Sequence, residues 1–341
     1  MTHLRELNLN NPQDVQNLSD FLLGFNLQLD DIDYGVIIEK DTQIIGSCCK
    51  LKNVLKCFAI STQHQGESLT NQLLTQVTYQ AFNEGYLHTF IYTKANNLNI
   101  FKSLGYEEIV TINDVSFLEK GHINLHAYLE TTQQQYHLFN KEYGAIVINA
   151  NPFTLGHQYL IEQASQQCSH LLIFVVSEDI SFFNYKDRYQ LIKEGTNHLT
   201  NVTLLPSSHY VISQATFPNY FLREPKKAFE LYASIDITIF AKYIAKKFNI
   251  TQRFVGEEPL DIMTNQYNTM MSHLLEEHGI NLHIIPRKSN ETGVISASKV
   301  RLLLKEQRWE EIQQLVPLTT FNYLKNNPQL IQQLQNYDKQ H

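Results

Sequence analysis

A chain of 341 residues, 43% of them hydrophobic, is long enough for two globular domains with separate cores. Its net charge of −7 argues against a nucleic-acid binder, which would present a basic face to phosphates. No apolar run approaches the roughly 20 residues of a membrane-spanning helix.

The N-terminus, Met1-Thr2-His3-Leu4-Arg5-Glu6, lacks the charged-then-apolar pattern of an export signal. The four cysteines, Cys48, Cys49, Cys57 and Cys168, show no C-x-x-C pair and no histidines at ligand spacing. They are expected to be reduced, buried thiols of a cytoplasmic protein.

In the front part, residues 1–130, Val36 to Gly46 predicts two strands around a polar turn, and Val54 to Ile60 a third. The loop Gln63-His64-Gln65-Gly66-Glu67-Ser68 precedes a helix through Leu69, Leu73, Leu74 and Val77. A strand at Thr89–Thr93, a helix from Ala95 to Leu104, and Gly105-Tyr106 turning into another strand follow. This order predicts an α+β domain on a curved mixed sheet. It resembles the GNAT acyltransferases, in which a glycine-bearing loop after a strand offers backbone N–H groups to the pyrophosphate of coenzyme A. Gln63 to Ser68 fits that loop, except that Ser68 replaces a small residue and Glu67 adds a negative charge. Phe101-Lys102-Ser103-Leu104-Gly105-Tyr106 is similar to the family's later helix-to-strand signature. By itself a glycine before a helix is also an ordinary turn, and no base for acetyl transfer stands out.

The domain boundary is expected between residues 125 and 142. Between the halves, in residues 112–141, His122 and His126 are even-spaced and suit one strand face, as surface residues rather than metal ligands.

From Gly144 the pattern alternates. Strands are predicted at 145–148, 171–176, 202–205, 252–256 and 282–286, and helices at 157–168, 186–195, 235–248, 265–278 and 298–315. Such alternation implies a Rossmann-like parallel sheet with helices on both faces over residues 142–341, and a ligand site outside the carboxyl ends of the strands. Neither Gly-x-Gly-x-x-Gly nor Gly-x-x-x-x-Gly-Lys occurs. Instead the apolar run Ala145–Ile148 ends in Asn149-Ala150-Asn151-Pro152-Phe153-Thr154-Leu155-Gly156-His157. Proline stops the strand, and a helix opens on Gly-His. A helix start suits a phosphate through its unpaired N–H groups and dipole.

Thr154-Leu155-Gly156-His157 is similar to the HxGH signature of the adenylyl- and cytidylyltransferase superfamily, with threonine in the first position. Ile295-Ser296-Ala297-Ser298-Lys299-Val300-Arg301 matches its second signature, ISxSxxR. Joined to a GNAT-like front domain, Asn-Pro-Phe-Thr-Leu-Gly-His resembles the citrate lyase ligase family over essentially the whole chain. The fold so implied is α/β: a GNAT-like α+β domain, then a Rossmann-like nucleotidyltransferase domain.

Attack on an ATP α-phosphate needs positioning and charge compensation, not an enzyme nucleophile. His157 can donate to an α-phosphate oxygen, and Thr154 can add a hydroxyl. Gly156 leaves room beside the backbone. Ser296 and Ser298 suit the outer phosphates, with Arg301 and Lys299 facing the leaving pyrophosphate. Arg188, or second Lys186, is expected near the phosphates. Asn149, Asn151, Pro152, Phe153 and Ile295 frame the nucleotide site. The resemblance places Gly256 and Glu257 near the adenosine, whereas by spacing they are only a turn. Singly, Ser298 is also an ordinary N-cap, Arg301 a surface charge and His157 a packed histidine. Arg223-Glu224-Pro225-Lys226-Lys227 reads as a solvated loop, and Trp309 as helix packing.

The resemblance implies ATP with magnesium held mainly by its phosphates and water, acetate as the acid, and the acyl carrier subunit of citrate lyase with its coenzyme-A-like arm as partner. It implies neither nucleic acid nor membrane. The competing expectation is a cofactor-forming adenylyltransferase with a regulatory GNAT domain; a non-catalytic assembly protein is a third.

Overall fold

The computed structural model describes residues 2–29, 31–64, 67–139, 141–213, 215–216, 229–258, 262–290 and 293–340. The chain divides into two compact units, Met1–Tyr128 and Leu129–His341.

The first unit opens with β1 (Thr2–Glu6) and α1 (Pro12–Leu23). The sequence reading misses both. α1 starts where Asn11 accepts from the Gln13 N–H with Pro12 next in line, an N-cap and N1 pairing that favours a helix start. Then come β2 (Tyr34–Lys40), β3 (Gln43–Leu51), β4 (Val54–Ile60), α2 (Glu67–Asn83), β5 (His88–Lys94), α3 (Leu98–Ser103), β6 (Glu107–Ile112) and β7 (Val115–Gly121); α4 (Leu125–Gln135) spans the division between the units. The sheet order is β1-β2-β3-β4-β5-β7-β6, antiparallel except for the β4–β5 pair. Its core joins Val36, Ile38 and Leu118 to Leu69, Leu73 and Val77 of α2. Gly105 has φ +83°, a conformation that suits glycine, and turns α3 toward β6 so that Tyr106 is buried. Gln65 and Gly66 of the proposed coenzyme-A loop lie outside the described residues. A cavity of about 410 Å³ in this unit is lined by Phe82, Thr89, Lys120 and Gly121. It lies at the opposite end of β5 from the edge where β4 meets that loop. His122 and His126 share no strand face: His122 follows the end of β7 and His126 sits in α4.

The second unit carries a fully parallel sheet, β8 (Tyr143–Ile148), β9 (Leu171–Val175), β10 (Val202–Pro206), β11 (Ile250–Gly256) and β12 (Asn281–Ile285), in the order β10-β9-β8-β11-β12. All five predicted strands are present. α5 (Leu155–Ser165) and α6 (Tyr185–Gly195) cover one face, where Ile161, Ala164, Leu191 and Ile192 pack on Ile146, Ile148, Ile173 and Phe254. On the other face Phe174 meets the rings of Phe240 and Phe248. Those two rings belong to a helical run of α7 (Phe229–Ile239), a π-helical stretch Phe240–Ala245 and α8 (Lys246–Phe248), predicted as one helix. α9 (Ile262–Glu276) connects β11 to β12.

A short hairpin, β13 (Ser289–Asn290) and β14 (Gly293–Val294), leads into α10 (Ala297–Lys305), α11 (Trp309–Gln313), α12 (Leu318–Asn326) and α13 (Gln329–Gln340). The helix predicted over 298–315 is thus two, broken where Gln307 turns to φ +57°. Val300, Leu303, Leu304, Ile312 and Leu324 close a separate core with Phe183. Trp309 packs edge-on against Phe321 and under the Lys325 ammonium, as helix packing. Among the described residues, no helix is long and apolar enough to cross a membrane. All four cysteines are free, with Cys48 and Cys49 buried and Cys57 and Cys168 half-buried. The Arg223–Lys227 run lies outside the described residues.

Candidate functional site

The first strand of the sheet, β8, has β9 on one side and β11 on the other, so successive connections leave in opposite directions. Such a switch point opens a crevice beyond the carboxyl ends of β8 and β11. A cleft of about 210 Å³ lies there. Asn149, Thr154, Gly156, His157, Gly256, Glu257, Ile295 and Ser296 all line it.

The β8–α5 loop is held from below. Ala150 adopts φ +51°, a left-handed conformation that costs a non-glycine residue roughly 1–2 kcal/mol and needs support on both sides. Arg188 supplies much of that support. Its guanidinium donates to the carbonyls of Asn149 (3.0 Å), Val176 (2.8 Å), Glu178 (2.8 Å) and Phe183 (2.9 Å), and to Asn149 Oδ1 (2.9 Å). It is fully buried and absent from the cleft lining. The expectation of Arg188 against the phosphates is therefore corrected: its donors are taken up by strand ends and loop, and it positions Asn149. Lys186 is exposed on α6 and also outside the cleft lining.

Asn149 is further pinned by Ser181, and Asn151 Oδ1 accepts from the Phe183 N–H (3.0 Å). Pro152 and Phe153 are buried beneath the loop. Phe153 occupies the space that a Cβ on Gly195 would need, 2.4 Å from Cε1, so glycine there lets α6 approach the loop. Asn151, Pro152 and Phe153 build the loop and do not line the cleft.

Thr154 caps α5, and its role differs from the one expected. Its backbone N–H donates to His157 Nδ1 (3.1 Å), while the His157 N–H donates to Thr154 Oγ1 (3.3 Å). The pair forms a capping box in which histidine takes the place usually held by Glu or Gln. Thr154 Oγ1 also lies 3.0 Å from Nδ1 and is almost fully buried, so the hydroxyl serves the cap. Because a backbone N–H donates to Nδ1, that nitrogen carries a lone pair and the proton sits on Nε2. Burial and the nearby Arg287 lower the His157 pKa to about 4. At neutral pH His157 is an uncharged Nε2–H donor, not the cation that would compensate charge by itself.

Cationic groups come from elsewhere. Arg287 and Lys288 follow β12 after Pro286 and line the cleft; neither is a candidate in the sequence reading. Their signal was a basic pair at the carboxyl end of a predicted parallel strand. Arg287 pairs with Glu258 (2.8 Å), and the Lys288 ammonium lies 5.5 Å from the centre of the Tyr159 ring.

The second signature faces the first. Ile295 is buried, and its carbonyl lies 3.4 Å from where a Gly156 Cβ would stand, so the small residue lets the two signatures meet. Ser296, not Ser298, is the N-cap of α10, accepting from the Lys299 N–H (3.2 Å). Ser298 is exposed one position inside the helix and accepts from Arg301 Nη2 (3.1 Å). Arg301 Nη1 donates to the Asn151 carbonyl, tying α10 to the β8–α5 loop. Ser298, Lys299 and Arg301 lie outside the cleft lining. Across the cleft Gly256 ends β11, where an added Cβ would stand 4.0 Å from Leu160 Cδ2, and the Glu257 N–H donates to the Ile285 carbonyl. Among the described residues, no three His, Cys, Asp or Glu side chains gather to hold a metal ion.

A parallel sheet with a capped, histidine-bearing helix at its switch point and a serine-capped helix opposite defines a nucleotidyltransferase-like α/β domain. The profile of the citrate lyase ligase C-terminal domain matches residues 143–324. The chain is 41% identical over 322 residues to the citrate (pro-3S)-lyase ligase of Haemophilus influenzae, covering 90% of this chain and 94% of that one. It is 39% identical over 310 residues to that of Klebsiella pneumoniae, covering 89% and 90%. The chain belongs to the citrate lyase ligase family. It is also similar to the solved structure of Escherichia coli ElaA, at 14% identity and a TM-score of 0.30, over 35% of this chain and 99% of that one.

Proposed function

We propose that the second unit adenylates acetate with ATP and that the acetyl group then passes to the thiol of the coenzyme-A-like arm on the acyl carrier subunit of citrate lyase. In the first step an acetate oxygen bonds to the α-phosphorus while the α–β bridging P–O bond breaks and pyrophosphate leaves. In the second, the thiol sulfur bonds to the acetyl carbon, AMP departs, and the thiol proton is released. The observation that carries this reading is His157, presented to the cleft as a neutral Nε2–H donor by its bond from the Thr154 N–H.

Neither step needs an enzyme nucleophile; both need donors aimed where charge builds up. His157 donates to an α-phosphate oxygen without giving up its proton, since its lowered pKa concerns protonation of Nδ1. The starts of α5 and α10 offer backbone N–H groups and dipoles to phosphate oxygens. Arg287 and Lys288 in the cleft, with Lys299 and Arg301 on the following helix, supply the positive charge a polyphosphate requires. Magnesium, held mainly by the phosphates and water, would neutralise the leaving pyrophosphate. Thr154 and Arg188 act through His157 and Asn149 as positioning residues. On this reading the front unit holds the incoming arm, and the enzyme works in the cytoplasm beside citrate lyase.

The test is exchange of labelled pyrophosphate into ATP without the carrier subunit. Exchange should require acetate, and His157→Ala should lower it by about a hundredfold to a thousandfold, as loss of a charge-stabilising donor does. Exchange that ignores acetate but responds to phosphopantetheine would replace this reading with a cofactor-forming adenylyltransferase.

A further inference from the structure

Arg253 lines this cleft and belongs to neither signature. It lies on β11, in register with Ala145 of β8 and Leu282 of β12, three residues before the strand ends at Gly256. At about 3.3 Å per residue its Cα sits roughly 10 Å below the rim. Phe254 beside it packs under α5, so Arg253 points to the opposite face of the sheet. There its guanidinium lies 4.2 Å from the centre of the Phe240 ring. The residue is 2% exposed, yet it lines the cleft, and its Nε and Nη1 have no hydrogen-bond partner.

The nearest buried acid does not satisfy it. Asp236 is fully buried but accepts instead from the Ile212 N–H, the Thr216 hydroxyl and the Tyr267 hydroxyl, each at 2.7 Å. A buried charge left with open donors is costly, and an anion that enters and pairs with it removes much of that cost. The cleft lining includes the apolar Val147, Ile212, Val255 and Met271 beside the polar Thr264, Tyr267 and Asn268. A buried cation with open donors beside aliphatic side chains matches a ligand with one negative charge and a small alkyl end. A polyphosphate matches the rim better, where helix starts and several cations gather on the other side of β11.

We propose that Arg253 is the carboxylate-binding residue of this cleft and that the ligand it takes is a small aliphatic monocarboxylate. As a statement about which acid the site adenylates, this rests on the acid-adenylating reading above. As a statement about binding, it stands without it.

The probe is ¹³C-labelled acetate, followed by NMR line broadening on the full-length protein with α,β-methylene-ATP and magnesium. Calorimetry measures affinity for the nucleotide analogue in parallel. Arg253→Met keeps most of the side-chain volume and removes the charge. It should weaken acetate binding, and raise the acetate KM for pyrophosphate exchange, by about a hundredfold while nucleotide affinity stays within about threefold, the expectation for losing a charge-assisted pair at one ligand only. Arg253→Lys, should Arg253→Met not fold, retains the charge but not the planar donors and should fall between the two. Unchanged acetate affinity in these variants, or nucleotide affinity falling in step with it, overturns the assignment. Wild-type protein that binds acetate through Arg253 but shows no acetate-dependent exchange would remove the proposed reaction and leave this site standing. Wild-type exchange with an unaltered acetate KM in Arg253→Met would do the reverse.

Discussion

Arg188→Met separates a residue that builds the site from one that touches ligand. The guanidinium it removes donates to four carbonyls, from Asn149, Val176, Glu178 and Phe183, and to the Asn149 side chain. Each buried acceptor left unpaired costs about 1–3 kcal/mol. Part of that is recovered as the loop relaxes toward water, and methionine fills most of the vacated volume, so the cavity contribution stays small. A net loss of about 4 kcal/mol is expected, toward the upper end of what single substitutions do. For a unit of this size 1 kcal/mol moves Tm by about 2–4 °C, so the melting temperature should fall by about 8–16 °C. Thermal unfolding followed by circular dichroism on the full-length protein measures this. Pyrophosphate exchange assayed well below the lowered Tm then reports how far Asn149 and the loop have moved. An Arg188→Met protein that melts like wild type yet has lost exchange would refute the reasoning and return Arg188 to the phosphates.

Thr154→Val removes the cap acceptor and one of the two contacts to His157 Nδ1; urea unfolding should show a loss of about 1 kcal/mol, with slower exchange, and Thr154→Ser should restore both. Unchanged stability in the valine variant would mean that the hydroxyl does not serve the cap. The pH dependence follows from the His157 pKa of about 4 in the folded chain against 6.5 in the unfolded one. Below pH 6.5 the unfolded chain takes up a proton that the native site refuses. The stability present above 6.5 is therefore lost as pH falls toward about 4. Urea midpoints across that window should fall less steeply for His157→Gln, and ¹⁵N NMR should find the wild-type imidazole neutral with its proton on Nε2 at pH 7. A protonated Nδ1 there would contradict the hydrogen bond from Thr154. Gly195→Ala sets a Cβ 2.4 Å from Phe153 Cε1 and should cost about 1–3 kcal/mol in thermal unfolding as the ring and its loop shift. An unaltered Tm would show that the ring has room to move.

Much of the second unit is legible in the sequence. Parallel strands buried on both faces are short, β-branched and evenly spaced, so Ala145–Ile148 and Leu171–Val176 declare themselves by composition, and the two signatures by local chemistry. In the first unit β1 and α1 carry little signal because their apolar residues form no long periodic run; α1 declares itself chiefly through the Asn11-Pro12 start. Short-range signals also fail to say which of two serines caps a helix. Ser296 and Ser298 are equivalent by propensity, and only the extended backbone at Ser296, with its bond from Lys299, separates them.

What the tertiary structure alone decided is the partner of each charge. Arg188 meets Asn149 across 39 positions of chain, and Arg301 meets Asn151 across 150. A guanidinium donates to whatever acceptors the fold brings to it, and periodicity records which face is buried, not what waits there. For that reason Arg188 has the sequence context of a phosphate ligand and the structural place of a support, while Arg253, an ordinary strand residue by sequence, is the buried cation of the cleft. The opening loop, Asn149 to His157, stays where the sequence placed it, at the head of the helix. Its histidine is neutral because burial and Arg287, a residue 130 positions away, make it so.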